Sequence, residues 1–170
     1  MNRRFGSQLL MVLFLSGCTF AAPQFNATHR LIEDVILGGN NLPKKNPVIW
    51  LASVGNRGAV LRPYSGGGLT VFANADGDAI SFDGWTIRSI TGFSLSSPIS
   101  IRGKEGMRVF TFGPTQTIHN CNNWLRSGLI WSQACTNGDG QISLDDAGNI
   151  QSITMALGAE LGVVTLRVAK

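Results

Sequence analysis

The stretch Leu69-Thr70-Val71-Phe72-Ala73-Asn74-Ala75-Asp76-Gly77-Asp78-Ala79-Ile80-Ser81-Phe82-Asp83-Gly84-Trp85-Thr86-Ile87-Arg88-Ser89-Ile90-Thr91 decides the fold class. Leu69 to Ala73 and Ala79 to Phe82 are short runs rich in β-branched and aromatic residues, and Thr86 to Thr91 alternates polar with apolar. Alternation with period two places successive side chains on opposite faces of a sheet. Asp76-Gly77 and Asp83-Gly84 separate the runs, and Asp-Gly between such runs signals a tight reversal. Three neighbouring antiparallel strands follow.

The pattern extends in both directions. Upstream, Val48 to Val54 is a continuous apolar run, Gly55 to Gly58 turns, Ala59 to Tyr64 is a strand, and Ser65 to Gly68 turns again. Downstream, residues 94–106 lack alternation and are expected to loop over the surface. Strands resume at Arg108–Phe112, Gln141–Leu144, Ile150–Ala156 and Val163–Val168. Regularly spaced short strands imply a mainly β fold, either an antiparallel sandwich or an open barrel. One N-terminal helix is expected between Asn26 and Gly39. Asn26 or Thr28 caps it, Leu31, Ile32, Val35 and Ile36 form its apolar stripe, and Gly38 ends it. Residues 27–170 read as one mostly-β domain without a fixed-period repeat.

The first residues carry a different signal. Asn2-Arg3-Arg4 is a short basic start, and Leu9 to Leu15 is an apolar run too short to span a bilayer, which takes about 20 residues. Leu15-Ser16-Gly17-Cys18 resembles the bacterial lipobox: an aliphatic residue, two small residues, then a cysteine whose thiol is acylated. This predicts a signal peptide at 1–17, lipidation of Cys18 and a short tether at 18–26. The alternative is ordinary cleavage near Ala21-Ala22. It leaves unexplained why the cysteine falls directly at the end of the apolar run. Two or three acyl chains exceed the single chain that binds membranes only marginally. Thr19 follows the cysteine where Asp would retain a lipoprotein at the inner membrane, by analogy with enterobacterial sorting. The expected location is therefore the outer membrane, with the domain facing the periplasm.

With Cys18 lipidated, Cys121 and Cys135 remain. An even pair in an exported domain reads as a disulfide. Ser127-Gly128 is a turn signal between them, and a hairpin centred on Gly128 makes positions 121 and 135 face each other.

Composition narrows the function classes. The 170 residues are 44% hydrophobic, and only 14% are charged, against about 25% in ordinary soluble domains. The formal charge of +4 loses Arg3 and Arg4 on processing, so 12 basic residues face 10 acidic ones. No basic cluster exists beyond Lys44-Lys45. Nucleic acid is not an expected partner.

Several motifs invite chemistry. Asn137 to Asp146 imitates a calcium loop, but Cys135 occupies the first ligand position and Asp146 stands where a bidentate Glu is needed. A polar turn is the expectation, with no metal and no cofactor. His29, near the start of the expected helix, reads as a surface residue, His119 has no sequence-local carboxylate partner, and no Gly-x-Ser-x-Gly elbow is present. Asp76/Asp78 and Asp145/Asp146 sit in turns, where Asp is favoured for its backbone hydrogen bonds. No catalytic residues stand out, and no enzyme activity is expected. Trp50, Trp85, Trp124 and Trp131 are candidate glycan contacts, since indole faces stack on sugar rings.

Residues Val48 to Phe93, and above all Phe72 to Phe93 with its Ala-Asp-Gly turn, resemble the YjbF/GfcB family of lipoproteins linked to exopolysaccharide and group 4 capsule production. The segment with Trp124, Trp131, Cys135 and Ile142 to Ile150 is similar to that family's second half. Phe72 replaces a favoured Trp, Trp85 replaces a favoured Arg, and the strand after Gly84 is one residue longer. The resemblance implies an outer-membrane lipoprotein accessory to polysaccharide export, acting with an outer-membrane β-barrel protein. A glycan-binding module is the alternative.

Overall fold

The computed structural model describes residues 48–104 and 106–169. The predicted helix at 26–39, the signal at 1–17, Cys18, the tether and His29 lie outside the described residues. Among those described there are thirteen strands and no helix.

Most strands follow from tight turns. Strand β1 (Trp50–Val54) reverses at Gly55-Asn56 into β2 (Arg57–Gly66), which reverses at Gly67-Gly68 into β3 (Leu69–Ala73). The two Asp-Gly signals join β3 to β4 (Ala79–Phe82) and β4 to β5 (Ile87–Thr91). Then come β6 (Ile99–Lys104), β7 (Met107–Phe112), β8 (Thr115–Asn120), β9 (Leu125–Ser127) and β10 (Ile130–Gln133). Strands β11 (Gly140–Leu144), β12 (Ile150–Gly158) and β13 (Gly162–Val168) complete the series.

All thirteen form one antiparallel sheet, in the order β8-β7-β6-β5-β4-β3-β2-β1-β13-β12-β11-β10-β9. The first and last strands of this series meet in the middle, with Trp50 opposite Val168 and Val54 opposite Val164. Strand β2 is the corner. Its first half pairs with β1, up to Trp50 opposite Leu61, and its second half pairs with β3, from Arg62 opposite Ala73. The sheet thereby curls into a half-barrel. Of the two predicted architectures, the open barrel is the nearer, because one continuous sheet supplies both walls.

The core lies inside the curl. Leu61, Ile80, Ile87, Ile90 and Ile99 from one wall are fully buried, as are Ile153, Met155, Val164 and Leu166 from the other. They belong to one cluster, so each wall covers the other's apolar face. Fully burying an aliphatic side chain of this size contributes about 1.5–3 kcal/mol.

The predicted surface loop at 94–106 is corrected by β6. Ile99 and Ile101 point inward at 0% and 2% exposure, while Ser100 pairs outward with Thr111. The alternation is only one residue pair deep before Arg102 and Lys104, which hid it.

The two edge strands, β8 and β9, follow each other in the chain. The chain passes between them through residues 121–124, and there the edges are stitched. Cys121 and Cys135 form an antiparallel bridge and are joined by a disulfide. The Asn122 amide donates to the Ala134 carbonyl at 2.9 Å, and the Thr136 amide donates to the Asn120 carbonyl at 2.9 Å. The hairpin turn is Gly128-Leu129, with Ser127 opposite Ile130. This ladder is one residue out of step with the cysteine bridge, so the chain slips between Cys121 and Leu125.

Candidate functional site: a tryptophan–arginine cluster

The Asp83 carboxylate builds one side of the site. Its Oδ1 accepts the amides of Trp85 at 2.9 Å and Thr86 at 2.6 Å, which shapes the β4–β5 turn and presents Trp85 at its apex. Its Oδ2 accepts Arg88 Nε at 2.6 Å. Trp85 remains 46% exposed.

The β9–β10 hairpin supplies the other side. The ring centroids of Trp85 and Trp131 are 5.0 Å apart, edge to face at 85°. Trp85 and Trp124 are 5.9 Å apart at 45°. Such offset and edge-on contacts add about 0.5–1.5 kcal/mol each beyond burial. Trp85 belongs to one wall of the half-barrel, and Trp124 and Trp131 belong to the other, so the three rings clasp the walls together.

Arginines flank the rings. The Arg108 guanidinium lies 5.6 Å from the Trp124 ring, and that of Arg126 lies 5.7 Å from the Trp131 ring. Arg108 is only 4% exposed and donates from Nη2 to the Gln133 side-chain oxygen. Gln133 Nε2 in turn donates to the Asn122 carbonyl at 2.5 Å. Burial lowers the Arg108 pKa, and the nearby Asp83 charge raises it in partial compensation. Arginine stays cationic through such shifts. Gly140 makes room for this packing, since a Cβ there would stand 3.1 Å from Trp124 and 3.2 Å from Arg108.

Trp50 is separate from the cluster and is corrected as a glycan contact. It is 7% exposed and packs on Phe72 with centroids 4.8 Å apart, inside the core. Sequence reasoning missed Arg108, Arg126, Arg88, Asp83 and Gln133. A signal existed for Arg108, which shares the inward register of Phe110 and so puts a cation where a hydrophobe is expected.

His119 lies directly opposite Arg108 across β7 and β8 and packs on the Phe110 ring at 4.2 Å. It is 1% exposed, and its Nε2 has no hydrogen-bond partner. Burial, then the Arg108 charge, lowers its pKa below the ordinary 6.5. The native state therefore binds this proton less readily than the unfolded chain does. Stability from neutral His119 is fully present above about pH 6.5 and is lost as pH falls below it. The expected result is a melting temperature that drops between pH 7 and pH 5, with a smaller drop in His119→Gln. An equal drop in both proteins would exclude this histidine as the source.

The carboxylates of the acidic turns accept hydrogen bonds from their own neighbourhood. Asp145 Oδ1 accepts the amides of Ala147 at 3.0 Å and Asn149 at 2.7 Å, and these bonds, led by Asn149, lower its pKa. Asp139 Oδ1 accepts the Cys135 amide at 3.3 Å, and Asp78 Oδ2 accepts Asn74 Nδ2 at 3.0 Å. Among the described residues, no three His, Cys, Asp or Glu side chains are grouped to hold a metal.

No family model and no curated protein matches this sequence. A solved structure does match it in shape: the hypothetical lipoprotein YmcC from Escherichia coli (K12), with a TM-score of 0.53 at 9% identity. The match covers 97% of this chain and 98% of that one, and at this identity it shows a likeness of fold.

Proposed function

We propose that this chain is a non-catalytic lipoprotein of the YjbF/GfcB type, accessory to exopolysaccharide or capsule production and export. Lipid on Cys18 anchors it to the outer membrane with the domain facing the periplasm, where it engages an outer-membrane β-barrel protein. The observation that supports this reading is the fold likeness, over 97% of the chain, to a protein described as a lipoprotein, in a chain that carries Leu15-Ser16-Gly17-Cys18. The resemblance at Val48–Phe93 supports the link to polysaccharide. The tether of about eight residues reaches at most about 28 Å, so partners must lie close to the membrane.

The anchor is tested by labelling with a fatty-acid analogue. The wild-type protein should carry label and Cys18→Ser should carry none; label on Cys18→Ser would refute lipidation there. The partnership is tested by affinity capture of the lipidated protein from detergent extract. Recovery of an outer-membrane barrel protein is expected, and its reproducible absence would remove the partner.

A second reading, a glycan-binding module, is favoured by one observation. Three of the four tryptophans, read as separate candidates in the sequence, converge at one partly exposed place. The two readings are compatible if the polymer passes the domain on its way to the barrel.

A further inference from the structure

We infer that the tryptophan–arginine cluster binds an acidic polysaccharide, one whose sugar rings carry carboxylates. This deepens the glycan-binding reading and rests on it. Sugar rings present C–H faces that pack on indole, and the half-exposed Trp85 supplies such a surface between Trp124 and Trp131. Selection for charge comes from what surrounds the rings. Arg88 pairs with the Asp83 carboxylate, and the guanidiniums of Arg108 and Arg126 lie against the Trp124 and Trp131 rings. That carboxylate is already engaged by two backbone amides and by Arg88 Nε. Three of its roughly four acceptor positions are thereby used, which leaves at most one, on Oδ2, for a sugar hydroxyl.

The cations are differently placed. Arg126 is exposed beside Trp131, with its Nε on the Gly128 carbonyl at 3.0 Å. Its two terminal nitrogens match the paired oxygens of a carboxylate. Arg108 is held beneath Trp124 and adds positive potential from a desolvated position, where charge is poorly screened. Two acidic residues border the hairpin: Asp139 accepts the Cys135 amide, and Asp145, which follows the Leu144 bonded to the Leu129 carbonyl, accepts the amides of Ala147 and Asn149.

The test titrates the detergent-solubilised full chain with polygalacturonate, alginate, dextran and oligothymidylate, read by tryptophan fluorescence. Saturable shifts are expected with the two uronate polymers and not with dextran, and they should weaken as salt is raised. Trp85→Ala should weaken binding at least about tenfold. Arg126→Gln, at an exposed position of the hairpin, should weaken it about three- to tenfold with the melting temperature checked alongside. A dextran response of equal strength, unchanged by Arg126→Gln, would overturn the charge selection and leave glycan binding standing. Silence with all three polysaccharides would overturn both. Equal binding of oligothymidylate would show that the site reads polyanions, and would overturn the assignment to sugars.

Discussion

Removing the disulfide with Cys121→Ser and Cys135→Ser together is expected to cost about 2–5 kcal/mol, the range seen when small exported domains lose a native bridge. The cross-link spans 14 residues. Chain entropy alone gives about 3 kcal/mol for a loop of that size. Its position makes the loss larger than loop length suggests. The bond lies where the two edges of a thirteen-stranded sheet come together, beside the amide bonds Asn122 to Ala134 and Thr136 to Asn120. Without it, β8 and the β9–β10 hairpin are tied at that end by these few hydrogen bonds. The tryptophan clasp is built on the same hairpin and should loosen with it. A drop of about 10 °C in melting temperature is expected for a domain of this size. A drop of a degree or two would show that the backbone bridge alone holds the edges.

Gly92→Ala should be as damaging, through a different mechanism. Gly92 follows β5 with φ of +75°, in the left-handed region. A Cβ at this position would lie 2.5 Å from Asp78 Oδ1 and 2.6 Å from Asp78 Cα. Backbone cannot retreat from backbone cheaply. The next residue, Phe93, is buried in the core and donates its amide to that same Asp78 oxygen, so a shift here displaces core packing. Backbone strain of about 1–3 kcal/mol and overpacking of about 1–3 kcal/mol together give an expected loss of about 2–6 kcal/mol. Gly67→Ala is the control, because its φ is +59° and nothing lies within 4 Å of its Cβ. Urea midpoints should fall much further for position 92 than for position 67. Equal shifts would mean that backbone conformation, and not the contact with Asp78, dominates at Gly92.

The local structure was legible where glycine and aspartate punctuate apolar runs. Leu69–Ala73 and Ala79–Phe82 are strands with the boundaries read from the sequence, because Asp76-Gly77 and Asp83-Gly84 mark the reversals. The aspartates explain why: Asp83 and Asp145 spend their oxygens on turn amides. Edge strands were harder to read. In β8 only His119 is buried, so Thr115–Asn120 shows no apolar stripe. Long-range arrangement left no mark in the local pattern. Trp85 lies some forty residues before Trp124 and Trp131, and only the curl of the sheet brings them together. Trp50 was indistinguishable from them by residue type, yet β1 sits at the centre of the sheet and turns it inward. The slip that offsets the cysteine bridge from the hairpin ladder was also invisible, since symmetry about Gly128 assumes unbroken pairing.

The pairing of β1 with β13 at the sheet's centre sets an order of assembly. A chain made from its N-terminal end presents β1 first, and β2 covers one side of it within a few residues. Its other side stays open until β13 arrives, more than a hundred residues later. Contacts of that separation are slow to close. Until then, a five-residue strand beginning with a tryptophan presents bare amides and carbonyls, the kind of edge that recruits stray strands. The centre of the sheet is thus the last part of the domain to be completed, although its first strand is the first to be made.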